Sequence, residues 1–183
     1  APIGDLIASG FPAEVVAVNE NFLDDQRDVA LLRINETNLP ALSLGMASDF
    51  SVGKKVYIFG FPATAEINQK SPGEATFTSG IVSAIKQSSD GNLKIFQTDA
   101  KVSQGSSGGP MFNERGDVLG VVTFQTDEFS RTAGDNFAFA VPIDLVNKQA
   151  LEARVLPEEG LYARNFKAGF TAFIEKHCDT ALQ

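Results

Sequence analysis

The sequence predicts an all-β protein, built as a barrel or a sandwich, followed by a helical tail. About eight short runs rich in β-branched and aromatic residues follow one another between turn signals, up to Pro142. These strands do not alternate with helical segments, which argues against a parallel α/β sheet. After Pro142 the spacing of the apolar residues changes to that of helices.

The composition limits the classes of protein to which this chain can belong. It has 183 residues, 43% of them hydrophobic, and a chain of that length can bury roughly 70% of its unfolded surface. The net charge of −8 disfavours nucleic acid as a partner, because phosphate binding requires a basic face. Cys178 is the only cysteine, so an internal disulfide is excluded. No apolar run reaches about 18 residues, so we expect no membrane-spanning segment, and no pattern indicates a metal or a cofactor.

Each strand is predicted from its β-branched and aromatic residues and from the turn signals beside it. Asn38-Leu39-Pro40 ends the second strand, and Asp90-Gly91 predicts a hairpin turn. Ser79-Gly80, in the middle of a long strand, indicates a bulge or a sharp bend. The predicted strands cover residues 14–18, 28–34, 55–61, 75–86, 93–97, 111–112, 118–125 and 136–141.

Residues 113–117 predict the turn of a further hairpin. They include Arg115-Gly116-Asp117, which is the sequence of a cell-adhesion tripeptide. Because glycine, asparagine and aspartate are common turn residues, the turn accounts for the motif without adhesion.

The tail is predicted to form two helices. Residues 143–155 have the apolar spacing of a helix. A second helix is expected from Glu158, because acidic residues in a first turn suit the positive end of the helix dipole. Its apolar stripe consists of Tyr162, Phe166, Phe170, Phe173, Ile174 and His177.

Residues 98–110 contain three glycines and three serines and end in a proline, between two strand-like segments. Glycine adopts backbone conformations that other residues avoid, and it lets a ligand approach closely. A serine among such glycines can expose its hydroxyl while neighbouring N–H groups point at one spot, which is what acyl transfer needs. The alternative is a flexible Gly/Ser loop, which would rarely lie between two strands and end in proline.

Gly105-Ser106-Ser107-Gly108-Gly109 fits two nucleophile patterns. One is the G-x-S-x-G elbow of α/β-hydrolases, whose triad follows the order serine, acid, histidine. That elbow needs a helix directly after the serine, and Pro110 with the short strand behind it leaves no room for one. The base and the acid of this alternative would be His177 and one of Asp127, Asp135 and Asp144.

The second pattern is G-[DNS]-S-G-G-P, and through it the chain resembles the trypsin-like serine peptidases of the chymotrypsin fold. Asp28-Val29-Ala30-Leu31-Leu32 is similar to the strand start that carries the triad aspartate in that family. The resemblance is to the HtrA/DegP-like branch and runs from about residue 13 to about residue 150. The further segments that match this branch in order are 53–62, 78–83, 97–100, 116–121 and 137–142.

The resemblance implies a chymotrypsin-like double β-barrel, with the first barrel incomplete in this chain, and a C-terminal helical tail. Its domains would be a partial N-terminal barrel over residues 1–62, a C-terminal barrel with the nucleophile loop over 63–142, and C-terminal helices over 143–183.

The resemblance also assigns catalytic roles. Ser107 would be the nucleophile, and the main-chain N–H groups of Gly105 and Ser107 would form the oxyanion hole. Asp28 would orient the catalytic histidine, since a carboxylate between a polar loop and a buried strand can be held rigidly enough to fix its tautomer.

The base of this triad is missing from the sequence. In the family a histidine precedes the aspartate, but no histidine occurs before Asp28. His177 lies on the apolar stripe of the tail helix, which favours a partly buried structural role over a catalytic one. Three explanations stay open: the sequence is part of a longer chain, a second chain supplies the missing strands, or the protein is a pseudoprotease that binds peptides without cutting them. We expect these residues alone to be inactive, since losing a triad member costs about 10⁴ or more in rate.

Substrate binding is implied by the same resemblance. Lys101 would lie at the floor of the primary pocket, where an inward-pointing ammonium favours acidic side chains and an outward-pointing one contributes nothing. Thr123, Phe124 and Gln125 would pair with the substrate backbone as an added strand. The expected partners are peptides or unfolded proteins, and a further domain or chain that supplies the missing strands. The expected location is the periplasm or the outside of the cell.

Overall fold

The computed structural model of the chain describes residues 10–18, 28–36, 39–61, 75–87, 94–125, 137–155 and 161–175. A short 3-10 turn at Ala47–Asp49 precedes the third strand, and two helices follow the last one, α1 at Ile143–Glu152 and α2 at Leu161–Ile174. The predicted order of strands followed by helices is confirmed. The strands are β1 Ala13–Val18, β2 Ala30–Ile34, β3 Lys55–Gly60, β4 Thr76–Gln87, β5 Lys94–Thr98, β6 Pro110–Phe112, β7 Val118–Gln125 and β8 Ala138–Pro142.

Six strands close into an antiparallel barrel with the order β3-β4-β5-β8-β7-β6. The ring closes where β6 returns to β3, with Phe112 opposite Tyr57. β1 and β2 form a separate two-stranded sheet. In that sheet Glu14 lies opposite Arg33, and their side chains form an exposed ion pair at 3.7 Å. The predicted mostly-β architecture is confirmed, with a closed six-stranded barrel and a second, two-stranded sheet.

The closed barrel begins at β3, earlier than the expected division after residue 62. That division had assigned residues 55–60 to the first barrel. In the structure β3 pairs with β4 on one side and with β6 on the other, so the ring cannot close without it.

The expected bulge at Ser79-Gly80 is wrong. Both residues lie in regular register with β3, and the irregular pairing of β4 falls between Val82 and Ala84 instead. Gly80 is needed for another reason, because a Cβ there would collide with the Asp99 carboxylate and with the main-chain nitrogen of Ala100. Asp99 accepts a hydrogen bond of 2.7 Å from the N–H of Ile81, so this glycine marks a close approach of two strands.

The barrel interior is filled by one face of each strand. Along β3, Val56 and Ile58 point inward and Tyr57 and Phe59 point outward, as the period of two in a strand requires. On β8 the small residues face the interior. The buried interior residues are Val56, Ile58, Val82, Phe96, Ala100, Met111, Leu119, Val122 and Ala140.

A second apolar cluster lies outside the barrel, where the helices cover its wall. Phe170 of α2 packs on Tyr57 and Phe112, with ring centroids 5.5 and 5.4 Å apart. Burial raises the pKa of Tyr57, and the nearby charge of Glu114 adds to that shift. Tyr162, which the sequence placed on the apolar stripe, is exposed, and His177 lies outside the described residues.

The segment between β2 and β3 is tied to the barrel. Leu44 forms a parallel bridge with Val118 at the start of β7, and the N–H of Gly45 donates to the Val118 carbonyl at 2.8 Å. Phe50 then stacks on Phe96 at a centroid distance of 3.6 Å. These contacts bring the 3-10 turn beside the hairpin of β6 and β7.

Candidate active site

The glycine- and serine-rich loop consists of two consecutive β-turns that share Ser106. In the first, the N–H of Ser106 donates to the Ser103 carbonyl at 2.9 Å. In the second, the N–H of Gly109 donates to the Ser106 carbonyl at 3.0 Å. The turns therefore span residues 103–106 and 106–109.

Both turns have a glycine at the third position. Gly105 has φ of +100° and Gly108 has φ of +83°, while the residues before them, Gln104 and Ser107, do not have positive φ. A positive φ at the third position alone defines a type II turn, and glycine is the residue that adopts it without strain. The spacing of the glycines in the sequence is thus explained by the local backbone.

Within the described residues, the main-chain hydrogen bonds of the loop leave the N–H groups of Gln104, Gly105 and Ser107 unused. The N–H of Gly108 donates to the Val122 carbonyl at 2.8 Å, and the N–H of Val122 donates to the Gly109 carbonyl at 2.9 Å. Together with the two turns, these bonds use the N–H groups of Ser106, Gly108 and Gly109. Within the described residues, the N–H groups of Gly105 and Ser107 have no acceptor.

The loop rests directly on the end of β3. Ser106 is buried, and a Cβ on Gly60 would lie 2.8 Å from its Oγ and 3.0 Å from its Cα. A Cβ on Gly109 would collide with the carbonyl oxygen of Phe59. Close packing of backbone on backbone therefore fixes the height of the loop above the barrel and leaves Ser107 exposed above it.

Thr123 connects the loop to Asp28. The Ser107 hydroxyl donates to the Thr123 carbonyl at 2.8 Å. The Thr123 hydroxyl donates to the Asp28 carboxylate at 2.7 Å. Asp28 lies just before β2, so this buried threonine of the barrel brings together two side chains that stand far apart in the sequence.

Beyond Val122, strand β7 has an irregular partner on one side and, among the described residues, no strand paired on the other. Its pairing with β6 ends at Val121, opposite Pro110. Its pairing with β8 is interrupted between Val122 and Gln125. Thr123 thus contacts the nucleophile loop at the point where the regular ladder of β7 ends.

Lys101 begins the loop but does not enter this cluster. Its side chain is exposed and makes no hydrogen bond or ion pair within the described part of the chain. Its carbonyl accepts a hydrogen bond of 2.8 Å from Thr78 on β4. The backbone at Lys101 is therefore fixed, with the buried Ala100 before it and Val102 packed on the core after it.

The hydrolase-elbow alternative does not fit this geometry. The residues after the second turn form strand β6, where that elbow requires a helix. Asp144 lies on α1, and Asp127, Asp135 and His177 lie outside the described residues.

In the parts of the chain that the structure describes, no group of three metal-binding side chains occurs. No described helix is long and apolar enough to span a membrane.

Sequence reasoning missed the hydroxyl of Thr123 as the link to Asp28, and it missed Gly60 as the support under Ser106. Gly60 is visible in the sequence, but its packing against a distant loop can be seen only in the three-dimensional structure. The one available signal was the threonine itself, which was assigned to substrate pairing through its main chain alone.

The fold and the site define a class of protein. A family model described as a trypsin-like peptidase domain matches residues 7–121, more than half of the chain, and the chain belongs to this family.

The most similar relatives include HtrA-type proteases, and the resemblance to that branch is confirmed. A "probable periplasmic serine endoprotease DegP-like" of Halomonas elongata is 36% identical over 134 residues, which are 72% of this chain and 26% of the relative. A protein of the same description from Pseudomonas fluorescens is 37% identical over 125 residues, 67% of this chain and 24% of the relative.

Solved structures agree with this assignment. The HtrA-type protease AlgW with a decapeptide has a TM-score of 0.61 and 27% identity, covering 79% of this chain and 41% of that chain. A serine endoprotease from Yersinia pestis has a TM-score of 0.57 and 27% identity, covering 77% of this chain and 43% of that chain. The chain spans about a quarter of the length of the curated relatives that it matches.

Proposed function

We propose that this chain carries the nucleophile of a serine endopeptidase of the HtrA-like branch. One observation carries the proposal: Thr123 joins the exposed Ser107 hydroxyl to the Asp28 carboxylate through bonds of 2.8 and 2.7 Å. The unused N–H groups of Gly105 and Ser107 support it, because an oxyanion hole needs donors that no other group occupies.

In the proposed reaction, the Ser107 oxygen attacks the carbonyl carbon of the scissile peptide bond while a histidine takes its proton. The negative charge that develops on the carbonyl oxygen is held by the N–H groups of Gly105 and Ser107. The histidine then protonates the leaving amine, the C–N bond breaks, and the acyl group stays on Ser107 until water hydrolyses it. Asp28 holds the imidazole in the correct tautomer and stabilises the imidazolium.

We place the base of this reaction in a histidine outside these 183 residues, on strands that complete the first barrel. The exposed apolar side chains of the β1–β2 sheet, Val15, Val18 and Leu32 among them, support this placement. Among the described residues, the Ser107 hydroxyl donates to the Thr123 carbonyl, which cannot take its proton, and no other partner of this hydroxyl occurs. The chain alone should therefore be inactive or nearly so.

The proposed substrates are peptide segments or unfolded proteins, bound as an added strand along residues 123–125. The interrupted ladder of β7 supports this mode, because its pairing with β6 ends at Val121 and its pairing with β8 is irregular between Val122 and Gln125. Lys101 is the proposed floor of the primary pocket, with a preference for acidic side chains when its ammonium points inward. The relatives named as periplasmic support a location in the cell envelope for this chain as well.

A fluorophosphonate probe tests the proposal in a chain extended into the natural sequence before Ala1. We expect a single label at Ser107, mapped by mass spectrometry, and no label after Ser107→Ala. Ser106→Ala is the matched control and should keep the label, since the Ser106 hydroxyl makes only a long contact of 3.4 Å with the N–H of Ser103. Labelling at another residue contradicts the proposal. Peptide binding without labelling indicates the pseudoprotease instead.

A further inference from the structure

Phe59 of β3 contacts both the nucleophile loop and the helix α2 on the outer wall of the barrel. Its ring points away from the barrel interior and packs against Phe170 of α2, with centroids 6.2 Å apart. Its carbonyl oxygen lies under the loop, where a Cβ on Gly109 would collide with it. We propose that α2 positions the nucleophile loop through Phe59, with Phe170 as the positioning residue.

Phe170 is the centre of the contacts that α2 makes with the barrel. It is 5% exposed and lies within 6.2 Å of five other rings. The rings on the barrel come from β3, β4 and β6, so the side chain spans the place where the ring of strands closes. The five rings belong to Tyr57, Phe59, Phe77, Phe112 and Phe166.

The register of α2 on this wall is fixed by the hairpin between β6 and β7. Lys167 of the helix forms an ion pair of 2.7 Å with Asp117. A Cβ on Gly116 would lie 3.4 Å from the Cα of Lys167 and 3.4 Å from the Phe170 ring, so the helix lies directly over the turn. The aromatic contact and the ion pair together determine where Phe170 meets Phe59.

The main chain of Phe59 and Gly60 packs closely against the nucleophile loop. Gly60, the next residue, would place a Cβ 2.8 Å from the Ser106 hydroxyl oxygen. Because a close-packed region transmits displacement, a change at the Phe59 ring moves the main chain on which Ser106 and Gly109 rest. The consequence for catalysis rests on the proposed function of Ser107, whereas the mechanical coupling does not.

Amide hydrogen exchange, measured residue by residue by NMR, tests this coupling. The reporters are the N–H groups of Gly108 and Gly109, which are bonded to the carbonyls of Val122 and Ser106. Phe170→Leu should speed their exchange by about tenfold or more, because the loop opens more often when its support is loosened. Phe173→Leu is the matched control on the same helix. Its ring is 53% exposed and contacts Phe77 at 5.3 Å but not Phe59, so it should leave both amides unchanged.

A general loss of stability must be separated from coupling. Val82→Ala removes a buried methyl pair from the barrel interior, away from α2, and serves as a variant of comparable overall destabilisation. The proposal is overturned if Phe170→Leu speeds exchange equally throughout the barrel, or if Val82→Ala has the same effect on the two glycine amides. Exchange does not depend on labelling of Ser107, so failure of the coupling and failure of the peptidase proposal give different results.

Discussion

Thr123 forms hydrogen bonds with two side chains, one through its own side chain and one through its main chain. Its hydroxyl donates to the Asp28 carboxylate, and its carbonyl accepts from Ser107. Only the hydroxyl depends on the identity of the side chain, so the two contacts can be separated by substitution.

Thr123→Val removes the hydroxyl and keeps the shape of the side chain. We expect a loss of about 1 kcal/mol in the free energy of unfolding, since Asp28 is exposed and water replaces part of the lost hydrogen bond. Thr123→Ser keeps the donor and should retain the Asp28 contact. Urea unfolding followed by circular dichroism measures both. A loss in Thr123→Ser with none in Thr123→Val would mean that the methyl group matters and the hydroxyl does not.

Gly108 and Gly109 are adjacent, but the structure requires glycine at each for a different reason. Gly108 has φ of +83° and nothing within 4 Å of its Cβ position, so Gly108→Ala meets backbone strain alone, about 1–2 kcal/mol. At Gly109 a Cβ would meet main-chain atoms of Phe59 and Ser106, which cannot rotate away. Gly109→Ala should therefore cost more than Gly108→Ala in urea unfolding. The reverse order would contradict the packing of the loop on β3.

The sequence singled out Ser107 through its glycine-rich motif and Asp28 through the family resemblance, and the structure places both beside Thr123. It could not show what joins them, since the contact from Thr123 to Asp28 spans 95 positions and depends on how the sheet meets the barrel. It assigned Lys101 to a pocket only by resemblance, and the structure fixes the backbone there while the side chain stays exposed.

At the level of elements, a network of hydrogen bonds and ion pairs around Asp117 links the β6–β7 hairpin to the 3-10 turn and to α2. This carboxylate is 7% exposed and accepts hydrogen bonds from Asn113 and Arg115, both at 3.1 Å. Arg115 also reaches Asp49 in the 3-10 turn at 2.7 Å, and Lys167 of α2 completes the network. The side chains of Arg115 and Asp117 thus bind other residues of the same chain, which supports the interpretation of the Arg115-Gly116-Asp117 motif as a turn.

The pKa of Asp117 has a consequence for stability. Burial raises this pKa, but the hydrogen bonds and charges of Lys167, Asn113 and Arg115 outweigh burial and lower it below its usual value. A carboxyl whose native pKa is depressed stabilises the fold at pH values above its unfolded pKa of about 3.9. This contribution disappears as the pH falls through the lower, native pKa.

Asp117→Asn removes the charge and should lower the free energy of unfolding by about 1–3 kcal/mol at pH 7, since the ion pairs of this buried carboxylate with Lys167 and Arg115 are lost. The difference between Asp117→Asn and the parent protein should shrink as the pH falls below about 4. Urea unfolding at a series of pH values measures it. Glu114→Gln, an exposed carboxylate of the same turn, is the control and should stay within about 0.5 kcal/mol of the parent. A difference that persists unchanged at low pH would contradict this account.

Strands and helices were predicted to within a few residues because their periodicity and their turn residues are local signals. The expected bulge at Ser79-Gly80 failed because a glycine in a strand can mark a close approach as well as a bulge. The stripe on α2 predicted which of its faces is apolar. It did not predict that this face covers the closure between β3 and β6, because that depends on the topology of the whole barrel.

At the scale of the whole molecule, the barrel and the β1–β2 sheet differ in how they are supported. The barrel strands are paired on both sides and enclose their own core. The sheet has two strands, and such a pair is marginal in water without further packing. It packs against α1, yet Leu32 in the middle of β2 remains 55% exposed. An exposed apolar strand face of this kind supports the proposed additional strands, which would cover it.

Leu32→Glu tests that expectation by comparing two chains. In the present chain the side chain is already in water, so the free energy of unfolding should change by no more than about 0.5 kcal/mol. In a chain extended by the proposed strands, the carboxylate would be buried without a partner and should cost several times that amount, about 2 kcal/mol or more. Met46→Glu, at an exposed apolar residue outside the sheet, is the control and should be tolerated in both chains. If Leu32→Glu is equally mild in the extended chain, the added residues do not cover β2, and the proposed completion of the first barrel fails.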